Sequence, residues 1–437
     1  MKEITARQLA YSVLLKVHKE KAFSNLALDS ALESSRLAPR DKSFAAALVY
    51  GVTERRITID YILSLYLSKP LNKMKPEPLT ALRLGAFQIL FSPSVPDSAA
   101  VNESVKLSKN NGYSYASGMI NAVLRKVSKS GLTLPEENKR EFYLSIKYSC
   151  PQWLVEKWIS EYGEKNTLSI LESSLGGKEL DIRVNTLKTT TDELKKSFES
   201  KGYLCECGIA DNSLSLSMSG TAVDETDEYK SGLFHVQGIP SQLCAAAVCA
   251  KEGETVFDLC SAPGGKAFSI AQMMNNKGYV KAFDIYESRT RLIESGAKRL
   301  GIDIISAEVN DATIFNSSLG LADRVLCDVP CSGLGIISKK PEIKYKSKSE
   351  IESLPDIQYN ILKNGAKYVK AGGRLVYSTC TLNKSENEGV CNRFLETYDN
   401  FEVLNPFNEK TSENFVTFFP NEHNSDGFFI AAFKRKE

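Results

Sequence analysis

The stretch "TVFDLCSAPGGKAF", residues 255–268, decides the fold. An apolar, strand-like run reaches Asp258, a Pro-Gly-Gly turn follows, and a helical stretch begins. Gly264 and Gly265 allow the backbone to approach a ligand closely at the amino terminus of a helix. The spacing is not G-x-G-x-x-G, so the dinucleotide fingerprint is absent. Taken alone, a strand–Gly–Gly–helix turn is more often a plain connection.

The segments downstream change that balance. "YVKAFDI", "DIISAEV", "DRVLCDV" and "GRLVYST" are further strand-like runs, mostly separated by helical stretches. The alternation predicts an α/β fold whose parallel sheet is covered on both faces. "NFVTFFP" and "GFFIAAFKR" predict a closing antiparallel pair. Asp284 ends the second strand, 26 residues after Asp258, where such a fold places a carboxylate that accepts both ribose hydroxyls. An acid there without a phosphate cradle points to a nucleoside-type ligand such as S-adenosylmethionine. Asp311, in "EVNDA", stands where an adenine edge would lie. Each acid alone has a bland reading, but three at successive strand ends are hard to obtain by chance.

Ligands bind at the carboxyl edge of such sheets, and two strands deliver a cysteine there. "CDVPCSGLG" (327–335) and "GRLVYSTCTL" (373–382) are the fourth and fifth strands with their exits, expected as neighbours. Cys331 and Cys380 are therefore expected to face one pocket. Two cysteines as close as Cys327 and Cys331 suggest a metal knuckle, a redox pair, a catalytic thiol or nothing. Cys327 lies within a strand and reads as an inert core thiol, as do Cys244, Cys249 and Cys391 on helical faces. Zinc requires paired knuckles; Cys205 and Cys207 form a lone C-x-C, and His18, His235 and His423 add little, so no metal is expected.

With 437 residues the chain implies two or three domains. Its 42% hydrophobic and 25% charged residues support large cores and argue against overall disorder. No run is long enough for a membrane span, and the apolar run near the start is too short for a signal-peptide core. A cytoplasmic protein is expected, with its ten cysteines as thiols of a reducing compartment. Charge is uneven: residues 1–130 hold 19 Lys+Arg against 10 Asp+Glu, a net +9 that leaves −7 for the remainder. That first segment reads as helices, with Leu9, Val13 and Val17 four apart and Arg55, Arg56, Arg83, Arg125 and Lys126 among the apolar positions. An all-helical domain with a basic, nucleic-acid-facing surface is one reading, ordinary solvated helix faces the other. Residues 150–245 read as strand, helix and strand, a small α+β unit.

Together "DLCSAPGGK", "AFDI", "CDVPCSGLG" and "YSTCTLNKSENE" resemble the RNA (cytosine-5) methyltransferases of the Sun/Fmu (RsmB) family. "ARQLAYSVLLKV", "VYGVTERRITID" and "GMINAVLRKV" look like a NusB-type helical domain, and "RVNTLK" and "FHVQGIPSQL" match the family's mixed segment. The resemblance implies a NusB-like RNA-binding domain over 1–130, a linker and small α+β RNA-binding segment over 145–245, and a Rossmann-like catalytic domain over 246–437. It implies S-adenosylmethionine as cofactor and 16S rRNA, free or in an early small-subunit particle, as partner. No obligate protein partner is implied. The domain order points to the branch that methylates cytosine 967 during rRNA processing.

Family chemistry explains two cysteines. Cytosine C5 is a poor nucleophile until a thiolate adds to C6, and a base must later remove the C5 proton so that the thiolate can leave. The resemblance gives the attack to Cys380 and the release to Cys331. It has Asp328 hold the base near N3 and the exocyclic amine, and places Lys266 beside the substrate, where it also lowers a thiol pKa. Cys260, Ser261, Ala262, Pro263, Gly264, Gly265, Lys266, Asp284, Asp311 and Asp328 would form the cofactor site. Ala267 and Gly238 stand where the family commonly has threonine and aspartate. An amino-group methyltransferase is the rival enzyme, since "DVPC" loosely resembles its D/N-P-P-Y/F loop, but it leaves Cys380 without a task. A decayed, RNA-binding assembly factor is the rival of another class, yet the acids, glycines and thiols are intact.

Overall fold

A computed structural model describes residues 4–20, 24–176, 179–217, 223–407, 414–420 and 425–437. His423, weighed above as a metal ligand, lies outside the described residues. The chain divides into two compact units, one of residues 1–176 with 337–345, the other of 177–336 with 346–437.

The first unit is helical. Its central helix, Pro76–Phe91, is apolar on nearly every face because it is buried on nearly every face, from Pro78 to Gln88. Helices pack closely around it where side chains are missing. A Cβ on Gly85 would stand 2.4 Å from Leu124 Cδ1, and one on Gly51 would overlap the Phe87 ring. The expected basic surface is partly internal. Arg83 is 8% exposed and grips Asp60 with two hydrogen bonds of 2.7 and 2.8 Å, while Arg56 stacks on Tyr345 at 3.5 Å. Arg125, Lys126 and Lys129, on helix Ser117–Ser130, are exposed.

Residues Ile337–Tyr345 belong to this helical unit although the sequence places them just after "CDVPCSGLG". Lys344 is buried and donates to the Glu54 carbonyl, and the Tyr345 hydroxyl donates to that of Thr53. Both close the carboxyl end of helix Pro39–Glu54, where a cation also meets the negative end of the helix dipole.

The second unit holds two sheets. The smaller is antiparallel, formed by β1 (Leu180–Val184), β2 (Leu204–Cys207), β3 (Ser213–Ser217) and β4 (Phe234–Val236) in the order β2-β3-β1-β4. Helix Thr191–Ser200 closes its core through Leu194 and Phe198. The helix starts at a capping box in which Thr190 and Glu193 satisfy each other's backbone N–H groups.

The larger sheet contains β5 (Thr255–Asp258), β6 (Tyr279–Asp284), β7 (Ile305–Val309), β8 (Ala322–Asp328), β9 (Val369–Thr379), β10 (Phe401–Leu404), β11 (Phe415–Phe418) and β12 (Phe428–Arg435). Strands β5 to β9 run parallel in the order β7-β6-β5-β8-β9. Helices Gly265–Met273, Glu287–Leu300 and Leu354–Tyr368 make three of the crossovers; between β7 and β8 stands only the short 3-10 turn Ser317–Leu319. The antiparallel pair expected near the end is β11 with β12, and β10 joins it on the same edge of β12. Chain order reverses between β5 and β8, which opens a crevice at their carboxyl ends.

Candidate active site

The crevice begins at Asp258, the last residue of β5. It is 1% exposed, and neither carboxylate oxygen has a hydrogen-bond partner of ordinary geometry. Burial, with Asp328 adding repulsion, pushes its pKa up to about 7. The buried Ser261 hydroxyl and Asn310 side-chain amide nitrogen are also unpartnered. Between Asp258 and helix Gly265–Met273 the chain passes through Cys260, Ala262, a cis Pro263 and Gly264. Gly264 has φ +108°, and a Cβ there would strike the Phe268 ring, so only glycine fits. At Gly265 a Cβ would meet nothing nearer than Gln237 at 3.7 Å, which leaves room for a ligand.

Asp284 closes β6, nearly buried. Arg289 pairs with it at 3.2 Å and also donates to the Ala262 carbonyl, tying the second strand end to the glycine turn. Asp311 is half-buried, and its Oδ1 is engaged by the Thr313 N–H and hydroxyl. Unsatisfied buried acceptors and donors at the ends of β5 and β7, on either side of Asp284, suit a polar, amine-bearing nucleoside ligand. S-adenosylmethionine fits that description.

On the other side of the crevice, Asp328 ends β8 with both oxygens engaged, Oδ2 by Lys266 at 2.6 Å and Oδ1 by the Ser378 hydroxyl at 2.7 Å. Burial opposes the charge of Lys266, but Asp328 outweighs it and holds the ammonium above the usual lysine range. Its partner is a carboxylate, and the thiol it favours as thiolate is the buried Cys244, which desolvation nevertheless raises to about 12.

Cys331 and Cys380 meet, with their Sγ atoms 3.3 Å apart. The Cys331 pKa lies well above the ordinary thiol value because of the hydrogen bond to Cys380, then burial, then the charges of Glu386 and Asp328. Cys327 is buried in β8, and Cys244 and Cys391 are buried on helices. Cys249 differs from expectation: it lies beyond helix Ile239–Ala247 in a turn with φ +52°, half-buried. Among the described residues no cluster of His, Cys, Asp and Glu could hold a metal ion, and no helix is long and apolar enough to cross a membrane.

Among the site neighbours that escaped the sequence reading are Asn310, Ser378, Arg289 and Glu386. Ser378 and Arg289 had a weak signal, one lying two residues before Cys380 and the other five after Asp284. Glu386 lies within "YSTCTLNKSENE", a run that carries the family resemblance, but nothing in its local pattern marks a buried carboxylate.

Three family descriptions match the chain: "16S rRNA methyltransferase RsmB/F" over residues 245–434, the NusB family over 4–129, and the ferredoxin-like domain of RsmF/B-like methyltransferases over 150–223. The chain is 34% identical to the probable ribosomal RNA small subunit methyltransferase B of Bacillus subtilis, with 100% of both chains covered. It is 32% identical to the human 28S rRNA (cytosine(4447)-C(5))-methyltransferase over 68% of this chain and 39% of that one. The crystal structure of PH0851, 26% identical, matches 99% of both chains with a TM-score of 0.82.

Proposed function

The chain belongs to the RsmB/F family of 16S rRNA methyltransferases, and from that premise we propose that it methylates cytosine 967 through a bond between Cys380 and C6. It is a 16S rRNA (cytosine-C5)-methyltransferase that uses S-adenosylmethionine, whose sulfonium supplies an electrophilic methyl group when bound. Asp258, Ser261 and Asn310 offer the polar contacts, Asp284 the ribose acceptor, and the 260–266 turn the close approach. Asp311 would lie beside the adenine, and Asp328 would border both ligands.

The observation that carries the mechanism is the thiol pair at the crevice. Two sulfurs 3.3 Å apart hold one proton between them more readily than two negative charges. The hydrogen bond to Cys380 and burial, with the charges of Glu386 and Asp328 behind them, favour that proton on Cys331, which leaves Cys380 as the nucleophile. Its thiolate adds to C6, and C5 gains the electron density to take the methyl group. Asp328, held by Lys266 and Ser378, accepts from the exocyclic amine of the base and faces N3, where it stabilises the protonated adduct. Once Cys380 is bonded to carbon, its charge and hydrogen bond no longer hold the Cys331 proton. Cys331 ionises to solvent and removes the C5 proton. The C5–H electrons form the C5–C6 double bond, and Cys380 leaves as thiolate.

The base must be unstacked to reach this crevice, so a looped or remodelled rRNA segment is the substrate, free or in an early small-subunit particle in the cytoplasm. The helical unit supplies RNA affinity. Bisulfite sequencing of 16S rRNA from cells lacking the gene should show loss of one mark, restored by the wild-type gene and not by Cys380→Ala. Methylation by Cys380→Ala would falsify the covalent assignment, and an unaltered position 967 would overturn the target.

A further inference from the structure

Between the turns that carry the two thiols lies a carboxylate with no exposed surface, and among the described residues its hydrogen-bond donors are all neutral. Glu386 accepts from the Ser332 backbone N–H (2.8 Å), the Ser332 hydroxyl (2.5 Å), the Gln358 side-chain amide (2.8 Å) and that of Asn383 (2.7 Å). We propose that Glu386 is a positioning residue for catalysis, a buried anion that locks the turn carrying Cys331 to the turn that follows Cys380. The proposal rests on the roles given to these cysteines above.

The bonds run between the two turns. Ser332 follows Cys331, and its one hydroxyl hydrogen goes to Glu386, so Thr381, which follows Cys380, must donate to the Ser332 oxygen at 2.6 Å. Thr381 in turn accepts from the Leu334 N–H, and the Cys380 carbonyl accepts from the Gly335 N–H at 3.0 Å. Gln358 spans Glu386 and the Pro330 carbonyl, which fixes the entry to the Cys331 turn. All four groups on the carboxylate are donors, so an amide in its place would set one N–H group against another. A buried anion costs solvation, and a neutral acceptor would serve packing alone at lower cost. What the anion adds is negative charge near Cys331, which, behind the hydrogen bond to Cys380 and burial, helps to hold the release thiol protonated.

The test uses the full chain with an rRNA transcript containing the target cytosine. Glu386→Gln should lower kcat about 30- to 100-fold with the RNA KM changed less than about threefold, as expected when reacting groups are misplaced by a fraction of an ångström. Denaturation-resistant protein–RNA adduct should accumulate. The rising limb of kcat against pH should move to lower pH by roughly half to one unit, because a negative charge is gone from beside Cys331. A purely structural role predicts loss of thermal stability and cofactor affinity with the limb unmoved. That result, or unchanged kcat, overturns the proposal. If Glu386→Gln does not fold, Ser332→Ala decides: it keeps the carboxylate and should slow release about tenfold with adduct accumulation, and wild-type release overturns the proposal. Cys331→Ala separates the two levels. If it traps no adduct, the assignment of the cysteines falls, and Glu386 is then judged on kcat and the pH limb alone.

Discussion

The sulfurs of Cys331 and Cys380 lie 3.3 Å apart although 49 residues separate them. Strand pairing brings them together. β8 and β9 run parallel with Asp328 opposite Ser378, so both cysteines leave the sheet at one level. A backbone bond from Gly335 N–H to the Cys380 carbonyl then folds the first exit over the second.

A divided labour for the pair predicts unlike single variants. Cys331→Ala removes the group that takes the C5 proton, so the enzyme should stall as a covalent adduct and turnover should fall about 10²- to 10⁴-fold. A slower-migrating protein–RNA band under denaturing electrophoresis reports it. Cys380→Ala should give no such band. A band in Cys380→Ala and none in Cys331→Ala would reverse the roles.

Asp258 makes cofactor affinity depend on pH. Its carboxyl, raised to about 7 by burial, is partly protonated near neutrality and can attract an ammonium group only when ionised. S-adenosylmethionine carries such a group, so its Kd should weaken as pH falls below 7, by at most about tenfold per unit. Asp258→Asn should bind weakly and flatten the profile. Calorimetric titration between pH 5.5 and 8 reads both, and a wild-type Kd constant over that range would remove Asp258 from the site.

The internal placement of Arg83 separates fold from RNA binding within the basic helical unit. Its guanidinium is largely buried on Asp60, so Arg83→Ala leaves an unpaired acid and should destabilise the protein by about 3 kcal/mol while sparing RNA affinity. Arg125, Lys126 and Lys129 are exposed on one helix. Replacing all three by alanine should leave thermal melting nearly unchanged, weaken RNA binding at all sequences, and flatten log Kd against log salt by about 2 to 3. Equal salt slopes for this triple variant and wild type would place the RNA interface elsewhere.

Period and punctuation made the catalytic sheet legible: β5 to β9, the Pro-Gly-Gly turn and both strand-end cysteines follow from local pattern. Relations between distant segments did not. Arg83 reads as a surface cation until Asp60, 23 residues earlier, is brought against it. Residues 337–345 carry no local pattern that assigns them to the helical unit, and the open carboxyl end of helix Pro39–Glu54 gives the buried Lys344 its acceptor. Glu386 is inside because Gln358, on helix Leu354–Tyr368, and Ser332, beyond β8, supply its hydrogen bonds. Charged residues in a loop carry no mark of such partners.

His235 sets the acid limit of the catalytic unit. The ring is fully buried, edge-on to Phe268 and near Gln237 and Ser269, and burial depresses its pKa to about 3. In the unfolded chain it titrates near the ordinary 6.5. Above that value both states carry the neutral ring and His235 adds no pH dependence. As pH falls from 6.5 toward 3 the unfolded state takes a proton that the folded state refuses, so folding stability declines, by at most about 1.4 kcal/mol per unit. Asp258 works the other way, since its raised pKa makes the free protein less stable as pH rises from about 4 to 7. The histidine contribution is therefore read from a difference. Wild type minus His235→Gln, in urea-unfolding free energy, should be flat above pH 6.5 and slope downward with acid below it. A difference that stays constant down to pH 4.5 would mean that the buried ring accepts its proton without penalty.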